Sequence, residues 1–107
     1  MEIQQYNLVL VNLDPTIGGE MKKTRPCAVI SPNEMNRYLQ TIVIAPITSN
    51  SRDYPTRVAI NQVRTKGWIV IDQIRTIDKR RVVKTLGKLK NTEIEKVKNV
   101  IQETDVD

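Results

Sequence analysis

Histidine does not occur in this chain of 107 residues. That removes any His-based acid–base pair, any Ser-His-Asp triad and the commonest neutral metal ligand. The acids are scattered. Asp72 and Asp78 are the only nearby pair in the strand-rich region, and their spacing fits no known metal loop, so neither a metal site nor a cofactor is expected. There is one cysteine, Cys27, inside an apolar run. A single thiol cannot form an internal disulfide, so nothing points to an oxidising compartment. Cys27 reads as a small buried hydrophobe rather than a nucleophile. Gly-x-x-x-x-Gly-Lys and Gly-x-Gly-x-x-Gly are both missing, which excludes nucleotide-loop enzymes. No apolar stretch approaches the ~18 residues of a membrane span. The start, Met1 to Tyr6, lacks the basic segment of a signal peptide, and the expected location is the cytoplasm. Internal repeats, low-complexity tracts and linkers are absent as well.

What is present is a basic chain sized for one domain spanning residues 1–107. Such a chain buries a modest core, which an oligomer would extend. Net charge is +5. It is unevenly spread: Arg52 to Lys90 holds eleven Lys or Arg and three acids, whereas Glu103, Asp105 and Asp107 make the tail acidic. This asymmetry favours one basic face and an anionic partner over uniform solvation.

Strands are expected over Tyr6–Leu13, Cys27–Ser31, Thr41–Ala45 and Arg57–Ile60. Gly67–Ile74 reads as the longest strand, continued by Arg75–Ile77. Pro15, Gly18 and Gly19 place a long polar loop between the first two strands, and Ser49–Thr56 forms a second. Asn33–Tyr38 suits one helical turn, and Asp78–Arg81 a turn or short helix. The clear α-helix is at the end. Thr92-x-x-Glu95 matches a capping box, and Ile94, Val97, Val100 and Ile101 share one face. Short strands with one terminal helix imply a mainly β fold, a small barrel capped by that helix, with the two long loops along one side.

Arg25, just before the second strand, and Thr48, just after the third, become neighbours if those strands pair. A guanidinium is a rigid fork of donors suited to phosphate oxygens. RNA carries its own nucleophile, the 2′-hydroxyl beside each phosphodiester. Cleavage by that group needs alignment, stabilised phosphoryl charge and two proton transfers, all within reach of preorganised side chains. In this reading Arg25 clamps the phosphoryl oxygens, Thr48 donates to the same group or orients the 2′-hydroxyl, and Glu20 serves as general base. An ordinary Glu has a pKa of ~4.3, below the useful range, so its surroundings would have to raise it. The plainer alternatives are a surface Arg before a Pro, a strand-end Thr and a solvated loop Glu. Trp68 and Tyr6 fall in strands and read as core or interface. Tyr54 lies in a polar loop beside Arg52, where an aromatic either stacks on an unpaired base or simply fills a turn.

Five segments, in order, resemble the MazF/PemK family of toxin ribonucleases from toxin–antitoxin systems. They are Leu13-Asp14-Pro15-Thr16 with Gly18, Gly19 and Glu20; Thr24-Arg25-Pro26 with Val29-Ile30-Ser31; Asn36 after Pro32; Pro46-Ile47-Thr48-Ser49; and Asp72-Gln73-Ile74-Arg75-Thr76. Together they cover nearly the whole chain. The resemblance implies an SH3-like small β-barrel of the MazF/CcdB kind and a homodimer. It implies metal-independent cutting of single-stranded RNA at short sequences, leaving 2′,3′-cyclic phosphate and 5′-hydroxyl ends, which stops translation. It also implies neutralisation by a cognate antitoxin with an acidic, partly disordered tail.

Arg25 and Thr48 match the family's principal catalytic pair, and Glu20 and Asp72 match positions that contribute in some members. Gly18, Gly19, Asn36, Ser49, Arg52, Tyr54, Asp72, Gln73 and Arg75 are the candidate RNA-binding residues. Some relatives carry His where this chain has Gly19, and Arg where it has Val70, which shifts the chemistry onto Arg25 and Thr48. Met35 stands where Phe is usual, and Asn12 where Asp is. A CcdB-like toxin acting on gyrase and a non-catalytic SH3-like binding module are the rival readings, and neither accounts for Arg25 and Thr48 in their motifs.

Overall fold

One strand, Thr41–Thr48, sends apolar side chains out of both faces of the sheet, and the two faces define two cores. Ile42 and Ile44 enter one core with Val9, Val11, Cys27, Val29 and Ile77. Ala45 and Ile47 enter the other with Leu8, Ala28, Val58, Ile60 and Ile69. A strand buried on both sides reads as a continuous apolar run, as this one does. The computed structural model describes residues 2–13, 24–49, 54–62 and 65–104. In chain order the strands are β1 (Asn7–Asn12), β2 (Thr24–Val29), β3 (Thr41–Thr48), β4 (Arg57–Asn61), β5 (Lys66–Val70), β6 (Arg75–Asp78) and β7 (Val82–Lys88). Helix α1 (Asn33–Tyr38) lies between β2 and β3, and α2 (Asn91–Thr104) ends the chain.

The sheet is antiparallel and runs β4-β5-β3-β2-β1-β7, with β6 also on β3. It curls into a half-barrel with the C-terminal helix against one core, where Val97 is fully buried beside Ile94, Val100 and Ile101. The mainly β architecture with a terminal helix is the one expected from the sequence.

Several boundaries differ from the sequence reading. Pro26 and Pro46 sit inside β2 and β3. A proline lacks the ladder donor, so it reads as a strand end. Arg25 is consequently within β2 rather than before it, and Thr48 is the last residue of β3 rather than beyond it. The run Gly67–Ile77 is not one strand with a continuation. A 3₁₀ turn at Ile71–Gln73 divides it, and β5 and β6 then share one edge of β3. Ile47 and Thr48 pair with β5, while Thr41 to Ile44 pair with β6. Asp78–Arg81 forms the expected short turn, with Asp78 capping a 3₁₀ helix at Lys79–Arg81. β7 has no counterpart in the sequence reading, because its alternation is diluted by Lys84, Lys88 and Gly87.

Helix α2 starts at Asn91, ahead of the expected box at Thr92. Its Glu93 does the capping, accepting from the Lys90 amide at 2.8 Å and from the Gln62 amide side chain at 2.9 Å. Glu93 is buried, so it ties the helix start to the end of β4 as well as satisfying an orphan donor. Glu93→Ala is expected to destabilise the fold by about 1–3 kcal/mol, since it strands buried donors. A urea midpoint unchanged by this substitution would contradict that account.

Candidate active site

β2 and β3 pair with Cys27 opposite Pro46, Ala28 opposite Ala45 and Val29 opposite Ile44. Continuing that register toward the strand ends sets Arg25 across from Thr48. Both line one cleft of about 280 Å³, joined by Thr24, Pro26, Ser49 and Lys66. The guanidinium of Arg25 is exposed and makes no hydrogen bond or ion pair among the described residues. None of the described residues lining the cleft is acidic. Two other cations of this sheet region are engaged: Arg57 with Asp72 at 3.2 Å, and Arg80 with Asp78 at 2.9 Å. Hydrogen bonds from the Arg80 side chain and amide hold Asp78 down to about 2.

The end of β3 is held from its other edge. Thr48 pairs with Trp68, and Gly67 beside it has φ +142°. A Cβ on Gly67 would lie 2.3 Å from the Thr48 carbonyl oxygen. Glycine is the one residue that allows this approach and this backbone conformation. The hydroxyl of Thr48 is therefore carried on a strand end gripped on both sides.

Beneath Arg25 on the same face of β2 is Cys27, fully buried. Burial pushes its thiol from 9.0 up to about 12, against the lowering pull of the positive charges of Arg25 and Arg75. Both guanidiniums thus act on one buried atom, which relates Arg75 to the Arg25 side of the sheet. Arg75 itself lies opposite Ile44 on β6 and is exposed. The Cys27 thiol is expected to ignore thiol reagents at neutral pH until the chain unfolds. The folded state holds this proton more tightly than the unfolded one. Stability is thus unaffected by the thiol below about pH 9 and falls as pH rises from there toward about 12. Rapid labelling of the native protein would contradict both statements.

The remaining candidates separate into groups. Ser49 follows Thr48 in the cleft. Asp72 and Gln73 lie on the exposed 3₁₀ turn after β5. Burial pushes the Asp72 carboxyl up, but hydrogen bonds from Arg57 and Thr56 outweigh it and hold the group below the usual carboxylate value. Arg57 also stacks over the Tyr54 ring, 5.4 Å from its centre, so Tyr54, Arg57 and Asp72 form one cluster. Asn36 is elsewhere. It is buried, its amide donates to the Ser31 carbonyl at 2.9 Å, and the Ser31 hydroxyl donates to its oxygen. That hydroxyl also accepts from the Val43 amide at 3.0 Å, so Asn36 fastens α1 to β3. Gly18, Gly19, Glu20 and Arg52 lie outside the described residues. Trp68 and Tyr6 are half-buried, Tyr6 against the core under α2. Lys66, Gly67 and Arg57 carried no motif and were not expected at the site.

Fold and cleft together define a small antiparallel half-barrel with an exposed guanidinium and a hydroxyl in one cleft. Comparison with known proteins is specific. Residues 4–104 match the family described as PemK-like, MazF-like toxin of type II toxin–antitoxin system. A protein of Staphylococcus saprophyticus named Endoribonuclease MazF is 33% identical over 105 residues, covering 92% of this chain and 88% of that one. Among solved structures, a MazE–MazF crystal form of Deinococcus radiodurans aligns with a TM-score of 0.82 at 23% identity, over 100% of this chain and 99% of that one. A mycobacterial endoribonuclease in complex with its cognate antitoxin aligns at 0.82 and 20% identity, over 94% and 92%. These structures establish the fold. The chain belongs to the PemK-like, MazF-like toxins of type II toxin–antitoxin systems.

Proposed function

We propose that this toxin is an endoribonuclease that cuts single-stranded RNA by in-line attack of the 2′-oxygen on the adjacent phosphorus. The observation that carries the proposal is the one cleft that Arg25 and Thr48 share. Family membership and the relative named Endoribonuclease MazF support it. In the reaction the 2′-oxygen–phosphorus bond forms and the bond to the 5′-oxygen breaks. The 2′-hydroxyl loses its proton to a base, and the leaving 5′-oxygen gains one. Arg25 holds the phosphoryl oxygens and offsets their growing charge, where fixed donors are most effective. Thr48 donates to the same group or orients the nucleophile. Glu20 is the candidate base. None of these steps calls for a metal-activated water, because the substrate supplies the nucleophile.

Flanking RNA is taken to run over Ser49, Tyr54, Asp72, Gln73 and Arg75, with Gly18, Gly19 and Arg52 from the loops. Asn36 serves the frame that holds them. The toxin works as a homodimer, is restrained by a cognate antitoxin, and acts on mRNA to stop translation. Structural neighbours crystallised as MazE–MazF and with a cognate antitoxin support the antitoxin partnership. Purified protein incubated with total single-stranded RNA in EDTA is expected to give fragments with 2′,3′-cyclic phosphate and 5′-hydroxyl ends. Intact RNA in EDTA, restored to cutting by a divalent cation, would overturn the metal-independent mechanism. No product under any condition would favour a binding module.

A further inference from the structure

The cleft holds a second cation to which the mechanism above gives no task. We infer that Lys66 is a phosphate-binding residue of this cleft, holding a backbone phosphate of the RNA next to the one clamped by Arg25. The inference rests on reading the cleft as the RNA site.

Lys66 opens β5, opposite Asn61 of β4, and its side chain is exposed. It lines the same cleft as Arg25, Thr48 and Ser49. Among the described residues it makes no hydrogen bond through its side chain and no ion pair. Arg57, Arg80 and Lys98 each have a carboxylate within 4.0 Å by contrast. Among the described residues, two positive charges without an ion-pair partner thus face one cleft that no acid lines. Their spacing does not depend on a loose loop. Gly67, the next residue, lets the β5 backbone close on the Thr48 carbonyl, where a Cβ would meet that oxygen at 2.3 Å. Lys66 is thereby placed beside Thr48 by strand against strand.

The two cations differ in a way that suits two phosphates. Arg25 offers a planar fork that fixes oxygen geometry, as the reacting phosphate requires. Lys66 offers a compact point charge on a flexible stem, sufficient for a phosphate that must be held but not oriented. The cavity, about 280 Å³, is smaller than the pockets that enclose drug-sized ligands. It suits the sugar–phosphate backbone, leaving the bases to be read outside it.

The test is binding of a short random-sequence all-deoxy oligonucleotide, which cannot be cut through a 2′-oxygen, titrated from about 50 to about 200 mM NaCl. One neutralised phosphate on a single strand contributes about 0.7 to the slope of log affinity against log salt. Lys66→Ala is expected to lower that slope by about 0.7 and to weaken binding several-fold at low salt, while Lys66→Arg restores both. Lys96→Ala, on the exposed side of α2, is expected to change neither. On cleavable RNA, Lys66→Ala is expected to raise KM with kcat unchanged. A Lys66→Ala slope equal to wild type would overturn the inference, as would a fall in kcat with the slope intact. Because the deoxy probe reads binding without cleavage, a failed Lys66 result leaves the roles of Arg25 and Thr48 standing. Conversely, intact cleavage in their variants does not touch the Lys66 slope.

Discussion

Arg25→Ala is expected to lower the single-turnover rate of RNA cleavage by about 10²–10³-fold, and Thr48→Ala by a comparable factor, with the fold retained. The magnitude is that of removing one donor aimed at the charge that develops in the transition state. The fold survives for a structural reason. Arg25 is exposed and makes no side-chain bond among the described residues, so its removal resembles an ordinary surface substitution, within about 0.5 kcal/mol. Thr48 is half-buried at the end of a strand whose core contacts come from Ile42, Ile44, Ala45 and Ile47. Rates measured beside thermal midpoints decide the matter. Full activity in both variants would refute the assignment, and loss of activity with a large fall in midpoint would shift the explanation to the fold.

Gly67→Ala carries the second large effect, although Gly67 has no side chain with which to take part in chemistry. The added methyl would stand 2.3 Å from the Thr48 carbonyl oxygen and 3.0 Å from its carbon, on a residue with φ +142°. Something must shift, and the nearest atoms are the backbone that carries the proposed catalytic hydroxyl. Forcing a group into such a contact costs about 1–3 kcal/mol. A displacement of about 1 Å at a reacting group can cost on the order of 10²-fold in rate. The expected result is a moderate loss of stability with a disproportionate loss of kcat. An unchanged rate in a stably folded Gly67→Ala protein would show that β5 does not position Thr48.

Residue type and local order were enough to bring Arg25 and Thr48 forward, because each stands at the open end of an apolar run. Pairing those runs needs no more than adjacency of strands, and β2 and β3 do pair, with the two residues in one cleft. The terminal helix was legible for a similar reason, since Ile94, Val97, Val100 and Ile101 repeat at helical spacing. Less visible was anything that depends on strands distant in sequence. Lys66 and Gly67 meet the Thr48 end of β3 only because β5 and β6 divide one edge of that strand between them. Nothing in Thr65-Lys66-Gly67-Trp68 announces that meeting. Arg57 escaped notice because its partners Asp72 and Tyr54 are joined to it by the fold rather than by a motif. Asn36 shows the opposite limit. It stands in the right order among the family's segments, yet its amide is occupied by Ser31 inside the frame. A pattern of residues identifies which positions matter without separating those that hold the site from those that act in it.

The central claim is that Arg25 and Thr48 work on one phosphoryl group. Groups that act as a unit lose their effect together, so their separate losses do not add. The decisive quantity is the cleavage rate of the Arg25→Ala, Thr48→Ala double variant. It is expected to fall little below that of the slower single variant. Losses that multiply in full would mean that the two side chains act independently, and full activity in the double variant would mean that the cleft is not where the RNA is cut.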